Sequence, residues 1–139
     1  MKSNQFELEI DAKLENLSLI ADFIETAMRQ LSMAKSIYEV QTAVDEACTN
    51  IIKYAYAGGE GIVSISCGLD GSDFIITIRD KGRPFDPISV PSPDLEADWE
   101  ERQVGGLGMY LMRKLMNEVS YSFDAEKGNT LTMRKRCCL

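Results

Sequence analysis

Apolar residues recur every three or four positions in the first part of the chain, which is the spacing of helices that bury one face. A first helix is predicted over Leu14–Met33 by the apolar set Leu14, Leu17, Ile20, Ile24, Ala27, Met28 and Leu31. Asp11 is its possible N-terminal cap. A second helix is predicted from Lys35 to about Ala57, and Gly58-Gly59 ends it.

Alternation of apolar and polar residues predicts the strands. Phe6–Ile10 reads as a strand at a sheet edge or an interface, and an Asp70-Gly71 turn joins strands over Gly61–Leu69 and Asp73–Asp80. A third helix, opened by Gly105-Gly106-Leu107-Gly108, runs to Asn117; the closing strands are Val119–Asp124 and Asn129–Lys135. We expect a single α+β domain over residues 1–139. It is a two-layer sandwich, with a mixed, mostly antiparallel sheet and three helices on one face.

Composition narrows the possible functions. The 139 residues carry a net charge of −7, which argues against nucleic acid as the main partner. No run approaches a membrane span and no signal peptide is visible, so a cytoplasmic location is expected. The four cysteines form no CxxC pair and there is no histidine, so a zinc site is not expected and the thiols are expected to be reduced.

Three polar residues share one flank of the second helix. Glu46 and Asn50 are four residues apart, and Lys53 follows three residues later. An amide oxygen together with substrate phosphates can hold Mg²⁺, and a carboxylate one turn earlier can accept a proton from a nucleophile. The alternative is an ordinary solvated helix face.

Further candidate residues lie downstream. Asp80 ends a strand and can accept a hydrogen bond from an exocyclic amine such as that of adenine. Gly82 lets a flat ligand approach the backbone. The alternative is an ordinary turn after a strand, where Asp and Gly are common. Gly105-Gly106-Leu107-Gly108 presents backbone N–H groups to an anion or serves as a hinge. Thr130 offers a hydroxyl beside Asp80 if their strands are neighbours, or is an ordinary strand residue.

The order of these segments resembles the Bergerat-type ATPase superfamily, and most closely the stand-alone anti-sigma-factor serine kinases. The matching segments cover nearly the whole chain. They are Asp45-Glu46-Ala47-Cys48-Thr49-Asn50, the run from Asp80 through Gly82, Pro84 and Phe85 to Pro87, and Gly105-Gly106-Leu107-Gly108-Met109.

The resemblance implies a role for each matching residue. Glu46 would be the general base, Asn50 would hold the Mg²⁺ that bridges the phosphates, and Asp80 would bind the adenine amine of ATP. The remaining nucleotide-binding set would be Lys53, Gly82, Phe85, Gly105, Gly106, Leu107, Gly108, Met109 and Thr130. Residues 86–104, which include Trp99, would form a lid.

The resemblance implies an Mg-ATP-dependent protein serine/threonine kinase in a partner-switching circuit. Such a kinase holds a sigma factor or another effector, and phosphorylates a STAS-type anti-sigma antagonist. A homodimer is expected, and neither direct binding of nucleic acid nor membrane attachment. Two alternatives remain: a nucleotide-dependent module that sequesters its partner without phosphoryl transfer, and a simple ATP hydrolase. Glu46 favours the kinase, because a pure binder needs no base there.

Overall fold

The helices and strands begin and end close to where the sequence pattern predicts them. The computed structural model describes residues 3–86 and 106–136. Its strands are β1 (Ser3–Asp11), β2 (Ile62–Asp70), β3 (Asp73–Asp80), β4 (Glu118–Asp124) and β5 (Gly128–Lys135). Its α-helices are α1 (Leu17–Gln30), α2 (Ile37–Asn50) and α3 (Gly106–Leu115).

The five strands form one sheet in the order β1-β2-β3-β5-β4. Where the sequence predicts a mixed, mostly antiparallel sheet, the four pairings among the described strands are all antiparallel. Asp70 pairs with Asp73, so the β2–β3 turn consists of Gly71 and Ser72 and lies one residue later than predicted. Gly71 has a φ of 64°, the left-handed conformation that a tight hairpin requires at this position.

The helices differ from the prediction mainly at their ends. A 3-10 turn over Leu14–Asn16 precedes α1, and another over Ala34–Ser36 precedes α2. The prediction that Asp11 caps the first helix is wrong, because Asp11 still pairs with Ile62 as the last residue of β1. Its backbone carbonyl accepts a hydrogen bond of 2.9 Å from the Asn16 side chain.

The second helix continues beyond α2 as a π-helical turn over Ile51–Ala55. It ends as predicted at Gly58, whose φ of 80° is readily adopted by glycine and whose N–H donates to the carbonyl of Ile52 at 3.0 Å. The helix therefore extends far enough to bring its C-terminal end against the turn that follows β3, where the Arg83 N–H donates to the Ala55 carbonyl at 2.9 Å.

The core lies between the sheet and the helices. One face of β2 is buried at Val63, Ile65 and Cys67, whereas Ser64 and Ser66 between them remain partly exposed. The largest fully buried side chains come from both layers: Phe74, Ile24, Met28, Ile65, Ile76, Ile78, Met112, Met133, Val40, Val44 and Val63. This arrangement confirms the predicted α+β fold with helices on one side of the sheet.

Two further observations concern the surface. Strand β1 lies at one edge of the sheet, as its alternating pattern predicts. Within the described residues, no helix combines the length and the hydropathy that a membrane span requires.

Candidate functional site

Helix α2 carries the predicted acid and amide one turn apart. Glu46 is partly buried, Asn50 is only 6% exposed, and Lys53 is exposed in the π-helical turn that follows. Burial raises the pKa of the Glu46 carboxyl; the negative charge of Asp45 raises it further, and the positive charge of Lys53 opposes both. Glu46 therefore gives up its proton less readily than an exposed glutamate, which makes it a stronger base once it is ionised.

Asn50 is the last residue of α2, at the point where the helix changes from α to π geometry. Single π-helical turns inside helices are frequent at functional sites. Asn50 lines a small cavity together with Asp80, although thirty residues separate the two in sequence. The fold therefore brings the proposed metal-binding end of the site next to the proposed base-binding end.

Asp80 is 4% exposed at the end of β3. Its Oδ1 atom accepts hydrogen bonds from the Gly82 N–H at 2.9 Å and from the Asn129 side-chain amide at 2.8 Å. Burial raises the pKa of the Asp80 carboxyl, and the hydrogen bonds from Asn129 and Gly82 oppose that rise. A buried carboxylate held by two donors can accept a hydrogen bond from an amine on a ligand.

The prediction that Thr130 lies beside Asp80 is wrong, although β3 and β5 are neighbours as it required. Asp80 is paired with Asn129, and Thr130 is paired with Arg79. Because side chains alternate across a strand, Thr130 is on the face of the sheet opposite to Asp80. Asn129 occupies the predicted position, and sequence reasoning missed it. The strand register would have identified it, since that register decides which residues of β5 share the face of Asp80.

Gly82 has a structural reason to be glycine. A Cβ atom at this position would lie 2.5 Å from the carbonyl oxygen of Ala55 and 2.6 Å from its carbonyl carbon. These backbone atoms belong to the end of the second helix, which is hydrogen-bonded to the same turn. The missing side chain thus allows the turn after β3 to pack directly against the helix that carries Glu46 and Asn50.

Phe85 forms one wall of the cavity. Its ring stacks on Tyr54, with centroids 5.1 Å apart and an angle of 17° between the planes. The Arg83 guanidinium donates to the Tyr54 carbonyl at 2.8 Å, which fixes the same segment against the helix. Sequence reasoning missed Tyr54; its position four residues after Asn50 was the available signal.

The cavity between these residues has a volume of about 20 Å³. Its lining residues are Ala47, Asn50, Ile51, Ile78, Asp80, Phe85, Tyr121, Asn129 and Leu131. This volume is room for about one water molecule, so only the edge of a planar base, such as its exocyclic amine, fits without movement of the lining. A larger open groove of about 890 Å³, lined by residues 11–15, 52 and 58–62, contains none of the predicted site residues.

The glycine cluster lies at the start of α3. Helix α3 begins at Gly106, so Gly106, Leu107, Gly108 and Met109 form its first turn, where backbone N–H groups lack partners within the helix. Gly105 lies outside the described residues, as does almost all of the predicted lid. The phosphate-binding role of these glycines therefore stays a prediction.

The described residues contain no group of three or more His, Cys, Asp or Glu side chains that could hold a metal ion. A site with one protein oxygen is compatible with Mg²⁺, which retains several waters and binds substrate phosphates. Asn50 is a suitable donor because its side-chain amide carries an oxygen atom and the residue lines the cavity. These described residues therefore fit Mg²⁺ that is delivered with a nucleotide.

Comparison with known proteins identifies a family to which the chain is similar over most of its length. The family model of the histidine kinase-like ATPase domain matches residues 10–135. An anti-sigma F factor from Clostridium kluyveri is 29% identical over 136 residues, which cover 97% of this chain and 96% of that protein. An anti-sigma F factor from Geobacillus stearothermophilus is 30% identical over 137 residues, or 97% and 94% of the two chains. A serine-protein kinase RsbW from Bacillus cereus is 31% identical over 136 residues, or 94% and 84%.

Proposed function

The chain belongs to the histidine kinase-like ATPase domain family, in the branch of the anti-sigma-factor serine kinases, and on that basis we propose that it is a protein serine/threonine kinase that uses Mg-ATP in the cytoplasm. One observation carries the proposal: Asn50 and Asp80 line the same cavity, and Glu46 lies one helical turn from Asn50. Phosphoryl transfer needs positioning and neutralisation of charge more than covalent chemistry from the protein, and this site provides groups for both.

Each residue has a defined task in the proposed reaction. Asp80 accepts a hydrogen bond from the adenine amine, and Asn50 would hold Mg²⁺ through its side-chain oxygen. When bound, the ion would supply positive charge that neutralises phosphate charge. Glu46 accepts the proton of the substrate hydroxyl. At the same time the hydroxyl oxygen of the substrate bonds to the γ-phosphorus of ATP, and the bond between that phosphorus and the oxygen of the ADP leaving group breaks. Lys53 and the N–H groups in the first turn of α3 bind phosphate oxygens.

The proposed protein substrate is a STAS-type anti-sigma antagonist, and the proposed second partner is a sigma factor or a similar effector. The name anti-sigma F factor supports a sigma factor as a partner, and the name serine-protein kinase supports a protein substrate that is phosphorylated on serine. We propose that phosphorylation of the antagonist restores the hold on the sigma factor.

We also propose that the protein works as a homodimer. Strand β1 at the edge of the sheet, with its alternating acidic and apolar residues, offers a surface for pairing. Sedimentation equilibrium at micromolar concentration measures this directly, and a stable monomer would contradict it.

The proposed kinase activity is tested by incubating the protein with Mg-ATP and a purified STAS-domain protein from the same genome. Intact mass spectrometry then weighs the STAS protein. We expect a gain of one phosphate with the wild-type protein and a rate at least about 100-fold lower with Glu46→Gln, which keeps the size of the side chain and removes the base. Nucleotide binding by Glu46→Gln is expected to remain.

Glu39→Gln is the matched control, because it makes the same change two turns earlier on α2. It is expected to retain the activity. If the wild-type protein binds nucleotide and transfers no phosphate, the sequestering module replaces the kinase. Equal loss of activity in both variants would contradict the role of Glu46 as the base.

A further inference from the structure

Asn129 uses its whole side-chain amide to join separate parts of the cavity wall. The residue is 4% exposed, at the second position of β5. Its Nδ2 atom donates to Asp80 Oδ1 at 2.8 Å and to the Arg83 carbonyl at 2.9 Å. Its Oδ1 atom accepts from the Phe85 N–H at 3.2 Å and from the Tyr121 hydroxyl. Both amide hydrogens and both acceptor sites are therefore used.

Tyr121 completes the arrangement from the neighbouring strand. Its hydroxyl donates to Asn129 and also accepts from the Phe85 N–H at 3.2 Å. The Phe85 backbone is thus held from two strands, while its ring stacks on Tyr54 of the second helix. Through these contacts β3, β4, β5 and the turn after β3 are connected at one point.

The hydrogen bonds of Asn129 also determine which oxygen of the Asp80 carboxylate is used within the protein. Both donors that reach the carboxylate from the described residues, Gly82 N–H and Asn129 Nδ2, bind the same oxygen, Oδ1. Hydrogen bonds to a carboxylate favour its ionised form and fix its orientation. The other oxygen, Oδ2, then remains to accept a hydrogen bond from a ligand in the cavity that Asp80 lines.

We infer that Asn129 and Tyr121 are positioning residues of the site that binds the adenine base. Asn129 holds the Asp80 carboxylate so that its Oδ2 atom accepts from an exocyclic amine. Asn129 and Tyr121 together hold Phe85 as the cavity wall beside that carboxylate. This inference rests on the proposed function, since it assigns to these residues the recognition of the adenine base. It makes base preference, and not only stability, depend on two side chains that do not themselves contact phosphate.

Isothermal titration with ATP and with inosine triphosphate tests the inference. Inosine carries a carbonyl oxygen where adenine carries its amine, so it lacks the exocyclic donor that an ionised Asp80 accepts from. For Asn129→Ala we expect ATP binding to weaken about tenfold or more, because the carboxylate loses its side-chain donor. Binding of inosine triphosphate is expected to change less than about threefold, so that the preference for ATP falls.

Tyr121→Phe provides a second, milder variant that removes only one hydroxyl. It is expected to lower the preference for ATP about threefold, because Asn129 loses one of the hydrogen bonds that orient its amide toward Asp80. The effect is small because the Phe85 N–H keeps its bond to Asn129. Tyr56→Phe is the matched control. It also deletes a hydroxyl that accepts from a backbone N–H, of Lys81 at 2.8 Å, and donates to a carbonyl, of Ile62 at 2.7 Å. This control is expected to keep the wild-type preference.

A purely structural role would weaken both nucleotides by the same factor, and that result, or unchanged binding of both, would overturn the inference. If Asn129→Ala does not fold, the comparison of Tyr121→Phe with Tyr56→Phe decides. Failure of the wild-type protein to bind either nucleotide would instead overturn the proposed function, so the two failures are distinguishable.

Discussion

Glu46 lies between two charges of opposite sign, and its pKa depends on both. Asp45 precedes it in α2, and Lys53 lies in the π-helical turn that follows the helix. The pKa of Glu46 is raised first by burial, then by Asp45, and lowered by Lys53. In the proposed reaction only the ionised form accepts a proton, so activity falls as the pH falls through this raised pKa.

Substitution of the two neighbours is therefore expected to move the acidic limb of the pH–rate profile in opposite directions. Asp45→Asn removes a negative charge, lowers the pKa of Glu46, and shifts the limb to lower pH by up to about one unit. Lys53→Met removes a positive charge and shifts the limb to higher pH. Rates of phosphate transfer between pH 4.5 and 8 measure the shift.

Asp22→Asn on α1 is the control for these changes, because it alters net charge by the same amount at an exposed position on another helix. Its profile is expected to match that of the wild-type protein. If Asp45→Asn and Lys53→Met shift the limb in the same direction, the assignment of the limb to Glu46 is wrong.

At the scale of elements, the site depends on how the second helix meets the turn after β3. The Arg83 N–H binds the Ala55 carbonyl, and a side chain at Gly82 would collide with the same peptide group. Tyr54 stacks on Phe85 directly beside this junction. The helix thus carries Glu46 and Asn50 in its middle, and its C-terminal end carries Tyr54, which packs on the cavity residue Phe85.

Tyr54→Leu is expected to weaken ATP binding about two- to tenfold, because an aromatic pair of this kind contributes about 0.5–1.5 kcal/mol and fixes the position of Phe85. Isothermal titration measures the change. Tyr38→Leu is the control on the same helix, since Tyr38 is 78% exposed. Equal affinities in the two variants would show that the stacked pair does not support the site.

At the scale of the whole molecule, one hydrophobic core holds the sheet and the helices together. Residues from α1, α2, α3 and from strands β2, β3 and β5 all contribute to it. Phe74 in β3 is fully buried, whereas Phe123 in β4 is 43% exposed. Folding therefore removes much more of the apolar surface of Phe74 from water than of Phe123.

Phe74→Ala is expected to lower the free energy of unfolding by about 3–5 kcal/mol, because it removes buried apolar surface and leaves a cavity. Phe123→Ala is expected to cost less than about 1 kcal/mol. Urea denaturation followed by circular dichroism measures both values. Comparable losses in the two variants would contradict the difference in burial between the two positions.

The sequence alone determined the helices and strands, and it predicted most residues of the candidate site. Helical and alternating spacings, and the glycines at Gly58 and Gly71, are local signals, so the strands, helices and turns are predicted within a few residues of where they lie. The order of the motifs along the chain predicted that Glu46, Asn50 and Asp80 belong to one site. Asn50 and Asp80 do line one cavity.

The tertiary structure decided which side chains complete the site. Asn129 and not Thr130 faces Asp80, because the register between β3 and β5 puts Thr130 opposite Arg79. Tyr121 and Tyr54 reach the same cavity wall from a neighbouring strand and from the helix end. A shift of one residue in register moves every side chain to the other face, and register depends on contacts between residues far apart in sequence. Local patterns carry no record of those contacts, so only the folded chain assigns these residues.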